Sequence, residues 1–315
     1  MIKKTITIRI SNGLGNQMFM YASALAIAKK MNRELLVDNE TAFSLKKSIS
    51  EFSLDIFQIS SKIAPNQLKF NSFFGYLKRK FLIKTDFFRK DKLFYIEKKN
   101  RNKISQYQEE LFNENSLSNF FLEGYLETEK YFKDIRNVIL EEFKFKNIEI
   151  FMKSKLLNDI QKHNAVAICL RQNRFQEGKN KNSNKFKQLS ADFENEQIDY
   201  INESLKFFNK KLNNPVFYLW ANDINKVNLD KFNHKLIKID NSKLDLNNTN
   251  RVAMDLFLIS QCRNHIVIPS SFHWWGAWLN NSPNKCILRP SKEFFSKYRI
   301  NNLDLWPTDW IVIKK

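Results

Sequence analysis

Apolar and polar residues alternate from the start of the chain. In "KTITIRI" the isoleucines at 6, 8 and 10 fall on every second position, the period of a β-strand. The period then changes: "SNGLGNQMFMYASALAIAKKMN" passes two glycines into a stretch where Met18, Ala22, Leu25 and Ala26 fall at helical spacing. "RELLVD" follows as the next strand, which completes a βαβ unit of about forty residues. A strand, glycine turn and helix put the turn at the carboxyl edge of a parallel sheet, where α/β proteins bind ligands.

Residues 41 to about 160 read as helical, basic and aromatic, with one strand-like patch at "FFLEGYLE". Clear alternation of strand and helix returns at "HNAVAICLRQNRF". It continues through a helix near "NEQIDYINESLKFFNKKL", strands "VFYLWAND" and "HKLIKID", a helix "NRVAMDLFLISQCRN", and strands "HIVI" and "KCILRP". This order predicts a second Rossmann-like unit. The expected organisation is an N-terminal α/β domain with a basic helical insertion over 1–158 and a C-terminal Rossmann-like domain over 159–315. "QEGKNKNSNKFKQ" (176–188) reads as a flexible polar loop.

Composition adds charge to this picture. The formal net charge is +19, which implies attraction to polyanions or anionic surfaces. It is concentrated: between Lys69 and Lys103 twelve Lys or Arg stand against three acids, an excess of 12 − 3 = 9. Aromatics are interleaved there, so the segment reads either as a membrane-surface face, with an anionic membrane as partner, or as a basic, partly buried helical region. No helix-turn-helix, RRM or zinc-finger signature accompanies the charge, which argues against nucleic acid. Three widely spaced cysteines, Cys169, Cys262 and Cys286, offer neither a disulfide framework nor a metal pair and fit a reducing compartment. No apolar leader and no run of about 18 apolar residues is present. The expected location is cytoplasmic, at most peripheral to the inner face of the membrane.

Several residues could carry chemistry. "GLGNQ" lacks the third glycine of a dinucleotide fingerprint and the lysine of a P-loop. Gly13 and Gly15 offer close backbone approach, with Asn16 and Gln17 as amide donors, or simply a tight turn with positive φ. Arg171 ends a buried strand, with Arg174 just beyond; such an arginine meets a phosphate or carboxylate, or forms a structural salt bridge. Asn222 and Asp223 end another strand as ligand contacts or as a polar turn. Asp255, within an apolar helix, requires a partner: a nucleobase with paired N–H donors, or a basic side chain. In "HIVIPSSFHWWGAWL" the serine pair Ser270 and Ser271 either caps a buried helix or meets a phosphate at its N-terminus. The four histidines are scattered and no DxD pair exists; Asp38 with Glu40 comes closest. A metal-independent site is expected, with Arg171 and the serine-bearing helix start supplying the positive field.

"NGLGNQMFMYASALAIA" resembles the N-terminal signature of the family 11 glycosyltransferases, the α1,2-fucosyltransferases, usually written GLGNQMFQYAFGRALA. "LISQCRNHIVIPSSFHWWGAWLNNSPNKCILRP" is similar to their C-terminal signature, "VFYLWANDI" to their FYIFSDDI segment, and "WPTDWIVI" to their ending. The resemblance implies a GT-B-like α/β architecture, with two Rossmann-like domains facing a cleft. It also implies an inverting transfer of L-fucose from GDP-β-L-fucose to the 2-hydroxyl of a galactoside glycan, in surface-glycan or O-antigen synthesis, without a metal or other cofactor. Carried onto this chain, Arg171 matches the first arginine of the HxRRxDY donor motif, and Ser270, Ser271 and Phe272 match the serine loop around the GDP phosphates. Asp255 matches an acidic guanine reader of more distant relatives, and Gly13, Gly15 and Asn16 match the N-domain loop. Arg171 and Asn16 are the expected catalytic contacts, and Asn222 joins the donor set. Against that motif Cys169 replaces the histidine, Gln172 the second arginine and Arg174 the aspartate, so no base is assigned. The alternative is a non-catalytic or altered-specificity GDP-sugar or glycan-binding protein of the same fold.

Overall fold

The structure, a computed structural model, describes residues 4–44, 50–98, 106–112, 119–176, 183–242, 246–298, 300 and 303–315. Lys99, Arg101 and Lys103 of the basic segment, and residues 177–182 of the polar loop, lie outside the described residues. Two compact units are present: Met1–Lys146 with Asn301–Pro307, and Asn147–Ile300 with Thr308–Lys315.

In the first unit the described strands are β1 (Thr5–Arg9), β2 (Glu34–Asp38), β3 (Lys62–Ile63), β4 (Phe94–Ile96) and β5 (Phe120–Glu123). They form one parallel sheet in the order β3-β2-β1-β5-β4. β3 and β4 carry too few residues to show a period, so the reading of 41–160 as helical with one strand understates its sheet content. Helix α1 (Leu14–Lys30) is buried almost all round through Ala28 rather than along the Met18, Ala22, Leu25 and Ala26 stripe alone; a helix apolar on every face belongs in a core. Helices α2 (Thr41–Ser44), α3 (Phe73–Thr85) and α4 (Arg136–Glu142) complete the unit. Asp304 joins it by accepting Tyr107 N–H at 3.0 Å and pairing with Lys130.

In the second unit come α5 (Ile148–Met152), α6 (Lys155–Lys162), β6 (Asn164–Leu170), α7 (Asn184–Lys211), β7 (Pro215–Ala221), β8 (Leu236–Lys238), α8 (Asn248–Gln261), β9 (Asn264–Ile266), α9 (Ser271–Leu279), β10 (Cys286–Pro290) and β11 (Ile311–Ile313). The sheet order is β11-β10-β9-β6-β7-β8, all parallel. Central β6 is buried from Ala165 to Leu170, as expected of a strand covered on both faces. Residues 147–158, counted with the first domain on sequence grounds, pack here: Phe151 lies 5.6 Å from Phe257 of α8.

Candidate functional site

The second unit has a topological switch point. From β6 the chain builds outward through β7 and β8, then crosses to β9 on the other side of β6. Adjacent strands whose connections leave in opposite directions open a crevice at their carboxyl ends. Arg171 directly follows β6, and Pro269, Ser270 and Ser271 follow β9, with Ile168 paired opposite Ile266. Gln197 of α7 fixes the Arg171 backbone, accepting its N–H at 2.8 Å and donating to its carbonyl at 2.9 Å. Arg174 Nη1 donates to the Pro269 carbonyl at 2.6 Å, and its guanidinium lies 4.9 Å from the Phe193 ring centroid. The two strand ends that border the crevice are therefore tied together by side chains of the loop after β6.

At the start of α9, Ser270 has extended backbone (φ −141°) and occupies the N-cap, yet its hydroxyl makes no capping bond. Its carbonyl accepts Trp274 N–H at 2.9 Å. Among the described residues nothing accepts from the Ser271 or Phe272 N–H groups, the donors that a helix start leaves over. Ser270, Ser271 and Phe272 are all partly exposed. The cap reading of this serine is thus not what the structure shows, and hydroxyl and N–H donors remain available to an anion.

The residues behind hold that helix start in place. Trp274, Trp275 and Trp278 are all buried and mutually in contact, with centroids 5.1, 5.2 and 6.2 Å apart, and Trp310 lies 5.6 Å from Trp274. All four are core residues; the indoles of α9 are large enough to meet across the angle between their positions on the helix. A Cβ at Gly276 would come within 2.3 Å of Ile259 Cγ2, so α9 and α8 approach as only glycine allows. His273 is fully buried with neither ring nitrogen hydrogen-bonded among the described residues. Burial pushes its pKa down to about 3, so it is an uncharged core imidazole and no phosphate cation.

Asp255 faces the carboxyl side of β7 and β8. Its Oδ1 accepts from Trp220 Nε1 at 3.2 Å and from Asn241 Nδ2 at 2.5 Å. The sequence leaves open a nucleobase or a basic partner; among the described residues it forms no salt bridge, and the partners shown are neutral N–H donors. Burial nevertheless pushes the carboxyl up to about 6. Asn222 is exposed; its Oδ1 accepts Gln172 N–H at 3.2 Å, while Gln172 Oε1 accepts Asp223 N–H at 2.8 Å. Gln172, buried, therefore seals the tips of β6 and β7 where the family has its second arginine. Cys169 is buried, and burial pushes its thiol well up, so it stays neutral.

In the first unit the corresponding switch point lies between β1 and β5. A cleft of about 210 Å³ opens there, lined by Arg9, Ser11, Met20, Ile96, Glu97, Glu123, Gly124 and Tyr125. Glu123 is held by Arg9 at 2.9 Å and by a two-pronged contact with Arg79. Glu97 accepts the Tyr125 and Leu126 N–H groups at 2.8 and 3.0 Å. Gly124 is required beside it, since a Cβ would lie 2.3 Å from Glu97 Cβ. Sequence reasoning missed these carboxylates; the available signal was Glu123-Gly124 at the end of the strand-like "FFLEGYLE".

The glycine turn differs from expectation. Gly13 is the N-cap of α1 with φ −73°, Gly15 lies buried within the helix, and the left-handed residue is Asn12 (φ 63°). Gln17 is no ligand donor: it is fully buried, donates to the Asn12 and Glu51 carbonyls at 2.6 and 2.7 Å and accepts Ser53 N–H at 2.9 Å. Asn16, partly exposed, keeps a carboxamide with no hydrogen bond among the described residues. Asp38 accepts the Glu40 and Thr41 N–H groups and Glu40 takes Lys69 and Asn71, so both carboxylates are engaged. Among the described residues no group of three or more His, Cys, Asp or Glu is placed to hold a metal ion.

Residues 1–314 match the model of the family described as glycosyl transferase family 11. The chain is 28% identical over 313 residues to an Escherichia coli alpha-1,2-colitosyltransferase, which covers 98% of this chain and 99% of that one. Over 55 residues it is 40% identical to the Escherichia coli O-antigen biosynthesis glycosyltransferase WbnK, 17% of this chain and 18% of that one. Among solved structures it is similar to the selenomethionine form of fucosyltransferase NodZ from Bradyrhizobium, with a TM-score of 0.50 at 13% identity, over 88% of this chain and 92% of that one. That likeness concerns the fold, two parallel α/β units of the GT-B kind.

Proposed function

The chain belongs to glycosyl transferase family 11, and from this premise we propose that it is an inverting galactoside α1,2-fucosyltransferase. The donor is GDP-β-L-fucose and the acceptor the 2-hydroxyl of a galactose-containing surface glycan; the reaction requires no metal. The first unit is assigned to the acceptor and the second to the GDP-sugar.

The observation that carries the donor site is the unused donor set at the start of α9, beside the strand whose end bears Arg171. Arg171, the Ser270 and Ser271 hydroxyls and the Ser271 and Phe272 N–H groups would bind the diphosphate, with the Phe272 ring beside it. Asp255, on the β7–β8 side, would take guanine N–H donors on Oδ2, and Asn222 would contribute its free Nδ2. The two positions are about two strand spacings apart, ~10 Å at ~4.8 Å per strand, which suits a nucleoside diphosphate lying across the strand ends.

In the reaction the acceptor oxygen attacks the anomeric carbon as its bond to the GDP oxygen breaks, so the configuration inverts. Arg171 and the helix start stabilise the departing diphosphate in place of a metal ion. The acceptor proton leaves to a base for which no residue is named.

A second donor is favoured by one comparison: the relative matched along its whole length is named for colitose, which is fucose without its 3-hydroxyl. The altered donor motif around Cys169, Gln172 and Arg174 is compatible with either sugar. The deciding experiment incubates the protein with GDP-L-fucose or GDP-L-colitose and a panel of β-galactosides, and identifies product and linkage by NMR. An α1,2-linked product with GDP release that depends on the galactoside is expected. GDP-sugar binding without product would favour the non-catalytic binding protein instead.

A further inference from the structure

Helix α3 is exposed on the wrong side for a soluble helix. Its inner arc carries Leu82 and Ile83, packed on the Phe70, Phe94 and Phe121 cluster, and Arg79, paired with Glu123. The outer arc should then be polar. Instead Phe73, Phe74, Leu77 and Phe81 fall within about 100° of arc on that side, and all are exposed. Just past the helix Phe87 and Phe88 stand 90% and 84% exposed, in edge contact with each other. Contiguous exposed apolar surface of this kind marks a docking face.

The cations decide what docks. Lys80 borders the apolar arc on one side and Lys78 on the other, Lys84 lies within it at the last turn of the helix, and Lys90 follows the phenylalanine pair; all four are exposed. Lys78, Lys84 and Lys90 make no ion pair among the described residues. Asp86, the acid at the end of α3, is turned inward, accepting the Leu93 and Phe94 N–H groups. A second copy docked face to face would set lysine against lysine, and a basic protein partner would be repelled likewise. Aromatic residues flanked by lysines instead suit the boundary of a bilayer with anionic headgroups.

We propose that the outer face of α3, continued by Phe87 and Phe88, docks the protein on an anionic membrane surface, the phenylalanines entering the headgroup boundary and the lysines meeting lipid phosphates. This proposal goes beyond the glycosyl-transfer reading and does not depend on it. Near an anionic surface each lysine strengthens binding roughly fivefold, an effect that falls off within a Debye length.

The test is flotation of the full chain with vesicles of phosphatidylcholine alone or mixed with phosphatidylglycerol, at low and high salt. The expected result is co-flotation with phosphatidylglycerol vesicles that weakens with salt and is much weaker with phosphatidylcholine. Phe74→Ser/Phe87→Ser/Phe88→Ser and Lys78→Glu/Lys84→Glu/Lys90→Glu should each weaken it at least tenfold, with an unchanged melting temperature because all six side chains are exposed. No flotation of the wild type at low salt, or equal flotation of either variant, would overturn the proposal. So would a concentration-dependent dimer that the phenylalanine variant abolishes, since the face would then belong to a second copy.

Discussion

Arg174 holds the loop that follows β9: its Nη1 donates to the Pro269 carbonyl at 2.6 Å while its guanidinium lies over Phe193 of α7. Pro269 immediately precedes Ser270, so a side chain from the end of β6 sets where the serine loop stands. This gives the arginine a structural reason to occupy the place where the family pattern has an aspartate. A hydrogen bond from a charged donor is worth roughly 1.5–3 kcal/mol. Arg174→Ala is therefore expected to cost stability on that scale and to raise the donor KM at least tenfold with a smaller change in kcat. Arg174→Lys, which keeps a charged donor but loses the planar fork, should recover part of the KM. Steady-state kinetics with varied GDP-sugar measures both; a change confined to kcat would remove Arg174 from a positioning role.

Arg171 is expected to act through its side chain alone, because Gln197 holds its backbone whatever the side chain is. Arg171→Ala should abolish calorimetrically detectable GDP binding and leave the far-UV circular dichroism that of a folded protein. Unchanged GDP affinity would overturn the assignment of the diphosphate to the β6–β9 switch point.

The contrast between these arginines shows what could be read in advance. The βαβ start, the alternation from β6 to β10 and the arginine at a strand end follow from apolar periods of two and 3.6. Arg174–Pro269, Gln172–Asp223 and Gln197–Arg171 join residues 95, 51 and 26 positions apart, and no local period encodes such pairs. The same holds for β3 and β4, which exist through pairing with β2 and β5 rather than through a pattern of their own. The contact among Trp274, Trp275 and Trp278 is likewise not encoded by their spacing along the helix. Helical angles place Cβ atoms, and indole rings extend far enough to bring all three into one core cluster.

The serines at two helix starts should behave oppositely. Ser72 caps α3 in the ordinary way, its hydroxyl accepting Gly75 N–H at 3.0 Å, so Ser72→Ala is expected to lower stability by about 1 kcal/mol without touching donor affinity. Ser270 makes no such bond. Ser270→Ala should leave stability within about 0.5 kcal/mol and weaken GDP binding several-fold. Denaturant unfolding and calorimetry on the two variants separate the cases, and a cap-sized stability loss for Ser270→Ala would return that serine to a purely structural role.

Asp255 ties stability to donor binding through pH. Burial raises its carboxyl from the ordinary 3.8 to about 6, so the fold favours the protonated form. Below about pH 4 the group is neutral in both folded and unfolded chains and contributes nothing to the difference. As pH rises from 4 to 6 the unfolded chain releases the proton first and stability falls, by about 3 kcal/mol in total at 1.36 kcal/mol per pH unit. Asp255→Asn removes that penalty, and the expected outcome is a melting temperature raised by about 5 °C at pH 7.5, shrinking towards zero at pH 4. Guanine N–H donors require the ionised carboxylate, so wild-type GDP affinity should fall as pH drops through 6. The asparagine variant should bind GDP at least tenfold more weakly at pH 7.5, with little pH dependence left. Melting curves and calorimetric GDP titrations at pH 5 and 7.5 test the pair of effects. A variant that is more stable but binds GDP normally would leave Asp255 as a buried carboxyl with no part in the donor site, and one that is less stable at pH 7.5 would show that the Trp220 and Asn241 hydrogen bonds outweigh its desolvation.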